Sequence, residues 1–265
     1  MIKRGQVTIF VIIAVLIISA IGGIVYIEGV KKTSESPEVK EVSGFVSSCL
    51  QQVSIEAVAT IGEQGGYYNL PERANYFLFF PKPYYIYETE NLAPMKASLE
   101  KSISDYIADN VDVCFSDFFD FEQRGLDVKK ANSNSVTARI RGNEVVISAK
   151  IPVSITKDNS TSIITDFSAL VRPVRLETLL KASNDITDSE TRDPRTLCIT
   201  CVQDIAENYS LQVDIIDTDD RNEFIYILID EQSNFTGLPF EYSFAARYNF
   251  PSCNDVESCF NALQS

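Results

Sequence analysis

The pattern of apolar and polar positions changes character along the chain. From Val7 to Ile27 only Thr8 and Ser19 place polar side chains in an otherwise apolar run. Roughly twenty residues at 1.5 Å rise cross a hydrocarbon core, so the pattern predicts a transmembrane helix over 6–27. A buried globular helix is seldom apolar all round over this length. A cleaved secretory signal is the serious rival. Lys3 and Arg4 supply its basic start and Ala20-Ile21-Gly22 a small-residue cleavage site. Against it, the run continues through Ile24-Val25-Tyr26-Ile27.

A polar, turn-prone linker follows over 28–36. Ser36-Pro37 then reads as an N-cap followed by proline at the first helical position. Val39, Val42, Val46, Cys49 and Val53 recur at spacings of three and four, marking one face of a helix that stops at Gly65-Gly66. Residues 67–87 are aromatic and punctuated by proline, and read as rings capping a core beneath a loop or an irregular strand. A second helix is expected over Asn91–Cys114, burying Met95, Leu99, Tyr106, Ile107 and Val113.

The period then shifts to two. Val136, Ala138 and Ile140 alternate with polar residues, Gly142-Asn143 marks a turn, and Val145 and Ile147 continue beyond it, a hairpin signature. Further strands are expected at 150–156, 162–171, 210–217, 223–230 and 238–248, with helices at 174–183 and Pro194–Tyr209. The whole reads as an α+β fold: an N-terminal transmembrane helix, then amphipathic helices and a mainly antiparallel sheet. Its segments are a helical and aromatic part over 37–125 and a sheet part over 126–265, which together make one ectodomain.

Charge narrows the function. The 265 residues carry 37 acidic against 23 basic side chains, a formal net charge of −14. Nucleic-acid binding needs a basic footprint and is disfavoured. Histidine is absent, which removes imidazole bases, Ser-His and Cys-His pairs and histidine metal sites. Bases flank the apolar run on both sides, with Lys3 and Arg4 before it and Lys31, Lys32 and Lys40 after it. Charge alone therefore does not orient it.

The six cysteines are Cys49, Cys114, Cys198, Cys201, Cys253 and Cys259. An even count in an exported chain favours disulfides. Cys49 and Cys114 lie on the two helices that follow the apolar run, and a bond between them would brace that pair. Cys253 and Cys259 bracket a short loop. Cys198-Ile199-Thr200-Cys201 is open to three readings: a structural disulfide, a redox dithiol, or half of a zinc site completed by Cys253 and Cys259. An acidic loop, not a strand, precedes it, and five residues separate the second pair, so the structural reading is preferred. Asp217, Asp219 and Asp220 crowd one turn, but Arg221 stands where a calcium loop wants an oxygen ligand. No catalytic residue, metal or cofactor is expected. Asn159, Asn208 and Asn234 begin Asn-x-Ser/Thr triplets, which suit an extracellular surface.

Lys3-Arg4-Gly5-Gln6 directly before the apolar run resembles the class III signal of archaeal type IV pilins. The resemblance implies cleavage between Gly5 and Gln6, so that 1–5 is a leader and the apolar helix stays as anchor or filament core. The fifth mature position, where many pilins carry Glu, is Phe10. More widely, RGQVTIF, Cys49-Leu50 and Gln64-Gly65-Gly66-Tyr67 resemble uncharacterised archaeal envelope proteins over most of residues 1–180. The expectation is a single-pass cell-membrane protein, embedded in the bilayer through Val7–Ile27 with its bulk extracytoplasmic. It would act as a structural or adhesive envelope component and, in a surface filament, as a subunit, through self-assembly or with other envelope proteins. The alternative is a membrane-tethered module binding a solute or glycan through 67–87. A thiol oxidoreductase or hydrolase is the third reading.

Overall fold

The computed structural model describes residues 36–250 apart from 78, 79 and 117. The described residues fall into two units, Ser36–Glu41 and the chain from Val42 onward. The expected leader over 1–5, the apolar run and its linker, and Cys253 and Cys259 lie outside the described residues. Among those described, no helix is long and apolar enough to cross a membrane.

The first helix, α1, covers Pro37–Glu63. The Ser36 hydroxyl accepts the Val39 N–H at 3.3 Å, the capping bond expected of that residue type. The helix ends in a left-handed turn, with φ of +54° at Gly65 and +83° at Gly66. The Gly66 N–H reaches back to the Ile61 carbonyl at 2.7 Å, so the glycines both permit the turn and satisfy an orphan carbonyl. Val42, Val46, Leu50, Val53, Ala57, Val58 and Ile61 are buried along one stripe. Near its end, Gly62 lies so close to the Phe240 ring that a Cβ there would sit 2.2 Å from it.

Two sheets follow. The first contains β1 (Ala74–Phe77), β2 (Phe80–Tyr87) and β3 (Glu90–Asn91), joined late in the chain by β8 (Gln212–Asp217), β9 (Glu223–Asp230) and β10 (Phe240–Arg247). Its order is β1-β2-β10-β9-β8, with β3 on β2. The second contains β4 (Leu126–Lys130), β5 (Ser135–Arg141), β6 (Glu144–Lys157) and β7 (Ser160–Val171), all antiparallel. β6 pairs with β7 along its length, with β5 along its first half and with β4 along its second. Alternate residues Val145, Ile147, Ala149, Ile151, Val153 and Ile155 are buried, as one covered face requires. Helices α2 (Lys96–Asn110), α3 (Phe119–Glu122), α4 (Leu176–Glu190) and α5 (Ile199–Tyr209) complete the α+β arrangement.

Helix side chains close strand edges that would otherwise be open for pairing. Gln51 of α1 donates its amide to the Leu170 carbonyl and accepts the Leu170 N–H, both at 3.0 Å, mimicking a neighbouring strand on β7. From α2, Ser104 Oγ accepts the Ala138 N–H at 2.8 Å and Glu100 Oε1 the Ile140 N–H at 2.9 Å on β5. Rings fill the core of the first sheet. Tyr85 stacks on Phe244 with centroids 4.3 Å apart, and Tyr226 stacks on Phe244 at 5.1 Å. A polar clasp ties β9 to α4 and α5. The Arg175 guanidinium holds buried Asp230 at 3.0 Å and 2.5 Å and also reaches the Tyr209 and Ser210 carbonyls. Ser233 Oγ donates to the same carboxylate at 2.5 Å while accepting the Arg175 N–H at 2.7 Å.

Several boundaries differ from the sequence reading, each for a physical reason. The second helix is shorter than 91–114, because Met95 is its extended N-cap and Val111–Phe115 winds as a 3-10 turn. Met95 and Val113 are accordingly 75 % and 62 % exposed rather than buried, since a 3.6-residue stripe does not carry into three-residue winding. The helix expected at 174–183 runs on to Glu190, its buried face continued by Ser183, Thr187 and Glu190, polar residues that hide the period. The helix expected from Pro194 starts at Ile199. The runs around 145–147 and 150–156 are one strand whose register against β7 shifts between Lys150 and Val153. Strand β4 was not anticipated. Residues 74–87 hold two strands, and β2 pairs in parallel with β10, the exception in a mainly antiparallel fold. Pro81 and Pro83 fall where β2 pairs with β1, and the β10 pairing begins only at Tyr84, so each proline meets a single ladder.

Candidate functional site

Cysteine chemistry marks two places. Cys49 of α1 and Cys114 of the 3-10 turn form a disulfide with Cα atoms 5.6 Å apart and a sequence separation of 65. Cys114 is buried, and rings of Phe45, Phe118 and Phe121 pack around the same junction. Tyr106 adds a bond from α2 to Glu56 of α1 at 2.8 Å. This site is a brace.

Cys198 and Cys201 are bonded to each other across the start of α5. Cys198 is the N-cap of that helix, and its sulfur accepts the Cys201 N–H at 3.3 Å, the place a serine or aspartate oxygen usually takes. Both cysteines are half-buried, while Ile199 between them is 53 % exposed. Behind them, the Cys198 N–H points to both oxygens of Glu190, at 3.2 and 3.3 Å. Glu190 ends α4 inside the protein, where the Tyr248 hydroxyl donates to it at 2.9 Å and Tyr226 shares a bond with Tyr248 at 2.5 Å. A chain of polar groups thus runs from the disulfide into the aromatic core. Sequence reasoning missed Glu190 and Tyr248. The one signal was that Glu190 continues the i, i+3, i+4 stripe of Ser183 and Thr187.

Burial pushes the Glu190 carboxyl above the ordinary glutamate range, opposed by the bonds from Tyr248 and Cys198. In the unfolded chain it ionises near ~4.3. Because the folded value is the higher one, its contribution to stability is fully present below the unfolded value and is lost as pH rises through the folded one. Urea unfolding of the native chain and Glu190→Gln across the acid-to-neutral range is expected to show the variant gaining relative stability as pH rises. A pH-independent difference between them would contradict this.

The aromatic stretch supplies a second site. A cleft of about 370 Å³ is lined by Tyr67, Pro71, Glu72, Arg73, Tyr84, Glu90 and Leu92. Arg73 pairs with Glu90 at 2.5 Å and lies 4.4 Å over the Tyr87 ring. The Tyr67 hydroxyl donates to the Leu92 carbonyl at 3.2 Å. Beside it, Asn75 of β1 donates to the Tyr84 hydroxyl at 3.4 Å and to Glu223 of β9 at 2.6 Å. Burial pushes the Tyr84 phenol up to about 12, so it remains a neutral hydrogen-bonding group. Ring faces beside a planar cation, a carboxylate and a phenol suit a polar ligand with an apolar face.

The remaining marked residues scatter. Asn159 lies in the β6–β7 turn, Asn208 on α5 and Asn234 in the loop after β9, all exposed. Asp217, Asp219 and Asp220 sit around the β8–β9 turn, where Asp220 accepts the Asn222 N–H at 3.0 Å and faces Arg247 at 3.5 Å. Among the described residues no group of acidic or cysteine side chains is arranged to hold a metal ion. Comparison with models of known families, with curated proteins and with solved structures returns no match.

Proposed function

We propose that this chain is a membrane-anchored protein of the cell surface, held by Val7–Ile27, with a folded head outside the cytoplasm and a structural or interactive role in the envelope. The observation that carries the reading is the Cys49–Cys114 bond, which ends on buried Cys114, a covalent brace of the kind that persists in oxidising compartments. The apolar run and the surplus of acidic side chains support it from the sequence. The start Lys3-Arg4-Gly5-Gln6 extends the proposal to pilin-type processing, with self-assembly or association with other envelope proteins through the retained helix. Amino-terminal sequencing of protein from native membranes is the test. A mature start at Gln6 is the expected result. A start at Gly23 or an intact Met1 overturns pilin-type processing.

The cleft favours a second reading, a tethered module that binds a solute or glycan between Tyr67, Arg73 and Glu90. Calorimetric titration with neutral oligosaccharides tests it. Binding that is lost in both Tyr67→Ala and Arg73→Ala supports it, and binding indifferent to both removes the cleft from consideration.

A further inference from the structure

The two disulfides are built for different ends. Cys49–Cys114 spans a sequence separation of 65 and ends on a buried cysteine, whereas Cys198–Cys201 spans 3 and borders solvent. So small a ring restrains the unfolded chain less than the long one does, so stability accounts for less of its presence. Its placement has a chemical consequence instead. Reduction would leave the Cys198 sulfur as the N-cap of an 11-residue helix, already within reach of the Cys201 N–H at 3.3 Å. Helix N-termini favour the thiolate over the thiol and so make a better leaving group. The backbone of Cys198 is fixed from behind by both Glu190 oxygens, and exposed Ile199 gives an incoming polypeptide an apolar contact beside the sulfur.

From this geometry we propose that Cys198–Cys201 is a thiol–disulfide exchange site whose substrate is a cysteine dithiol in a polypeptide. This goes beyond the envelope role and does not depend on it. A substrate thiolate attacks Cys198 Sγ, a mixed disulfide forms, and the Cys198–Cys201 bond breaks with its electron pair leaving on Cys201, which takes up a proton. The second substrate thiolate attacks the substrate sulfur of the mixed disulfide and expels Cys198 as the thiolate, which is protonated in turn or held by the helix. The substrate dithiol loses two electrons and becomes a disulfide, and the cysteine pair of this chain gains them, one equivalent per molecule. Two sources supply that chemistry. One is another polypeptide. The other is the second cysteine pair of the same chain, Cys253 and Cys259, which lies outside the described residues.

The test uses the full chain under native conditions. Glutathione is added, free thiols are alkylated at intervals, and peptides are mapped by mass spectrometry. Cys198–Cys201 is expected to open roughly tenfold or more faster than Cys49–Cys114. Equal rates, or opening only as the chain unfolds, overturn the proposal without any variant being needed. A second arm compares Cys201→Ser with Cys198→Ser, each mixed with a synthetic peptide containing a disulfide. Cys201→Ser is expected to trap a mixed disulfide at Cys198, and equal trapping by Cys198→Ser overturns the assignment of the attacked sulfur. Repeating the arm with Cys253→Ser and Cys259→Ser added separates the sources. A Cys198–Cys253 or Cys198–Cys259 link that disappears in that background assigns the dithiol to the same chain. Unchanged peptide capture assigns it to a partner. Export and processing are read by amino-terminal sequencing, so either proposal can fail without the other.

Discussion

Replacing Cys49 and Cys114 together by serine is expected to lower the free energy of unfolding by about 4 kcal/mol, the chain-entropy value for a loop of this length. The bond joins α1 to the 3-10 turn across a separation of 65 residues, so its loss frees a long stretch of the unfolded chain. A hydroxyl at position 114, where exposure is 2 %, adds to the cost. For a chain of this size roughly 2–4 °C is lost per kcal/mol, which places the fall in melting temperature at about 8–16 °C. The same change at Cys198 and Cys201 is expected to cost about 2 kcal/mol, because the ring it opens is so short. Thermal unfolding of the two double variants measures both. Equal losses would remove the distinction drawn between brace and exchange site.

The second large effect is expected at Asp230. Asp230→Ala should cost about 3–5 kcal/mol, since it leaves the Arg175 guanidinium desolvated and unpaired. The Arg175 side chain is 12 % exposed and the Asp230 side chain 0 %. The same carboxylate accepts the Ser233 hydroxyl and the Gln232 N–H, so its removal strands further donors at the end of β9. Replacing both charges by apolar side chains, Arg175→Met with Asp230→Leu, is expected to recover much of the loss. Urea unfolding of the single and double variants decides it. A double variant no more stable than Asp230→Ala would show that the carbonyl bonds of Arg175 to Tyr209 and Ser210, not the ion pair, dominate the clasp.

Much of the fold was legible where one local rule acted alone. Helix α1 was readable from the Ser36-Pro37 start, the Val42-Val46-Val53 stripe and the Gly65-Gly66 stop, since cap, period and terminator agree. The hairpin around Gly142 was readable from alternation, because one face of that sheet is covered and the other is wet. Strand β2 was not. Tyr84, Tyr85 and Ile86 are all buried, so no alternation survives, and the two prolines argue locally against a strand. Its parallel partner β10 lies some 160 residues away along the sequence, a pairing no local pattern encodes. Of the candidate sites, Cys49–Cys114 was legible as a pair from the two helices, and Cys198–Cys201 as one of three readings of its motif. Glu190 was not, because one buried carboxylate among 37 acidic residues looks like solvated surface until α4 and Tyr248 enclose it.

The central claim, a head outside the cytoplasm, is tested most directly on intact cells with a membrane-impermeant amine reagent. Lys101 and Lys129 project well into solvent, with side chains 73 % and 72 % exposed. The account predicts that both are labelled in intact cells to the same extent as after lysis. Labelling that appears only after lysis would contradict it.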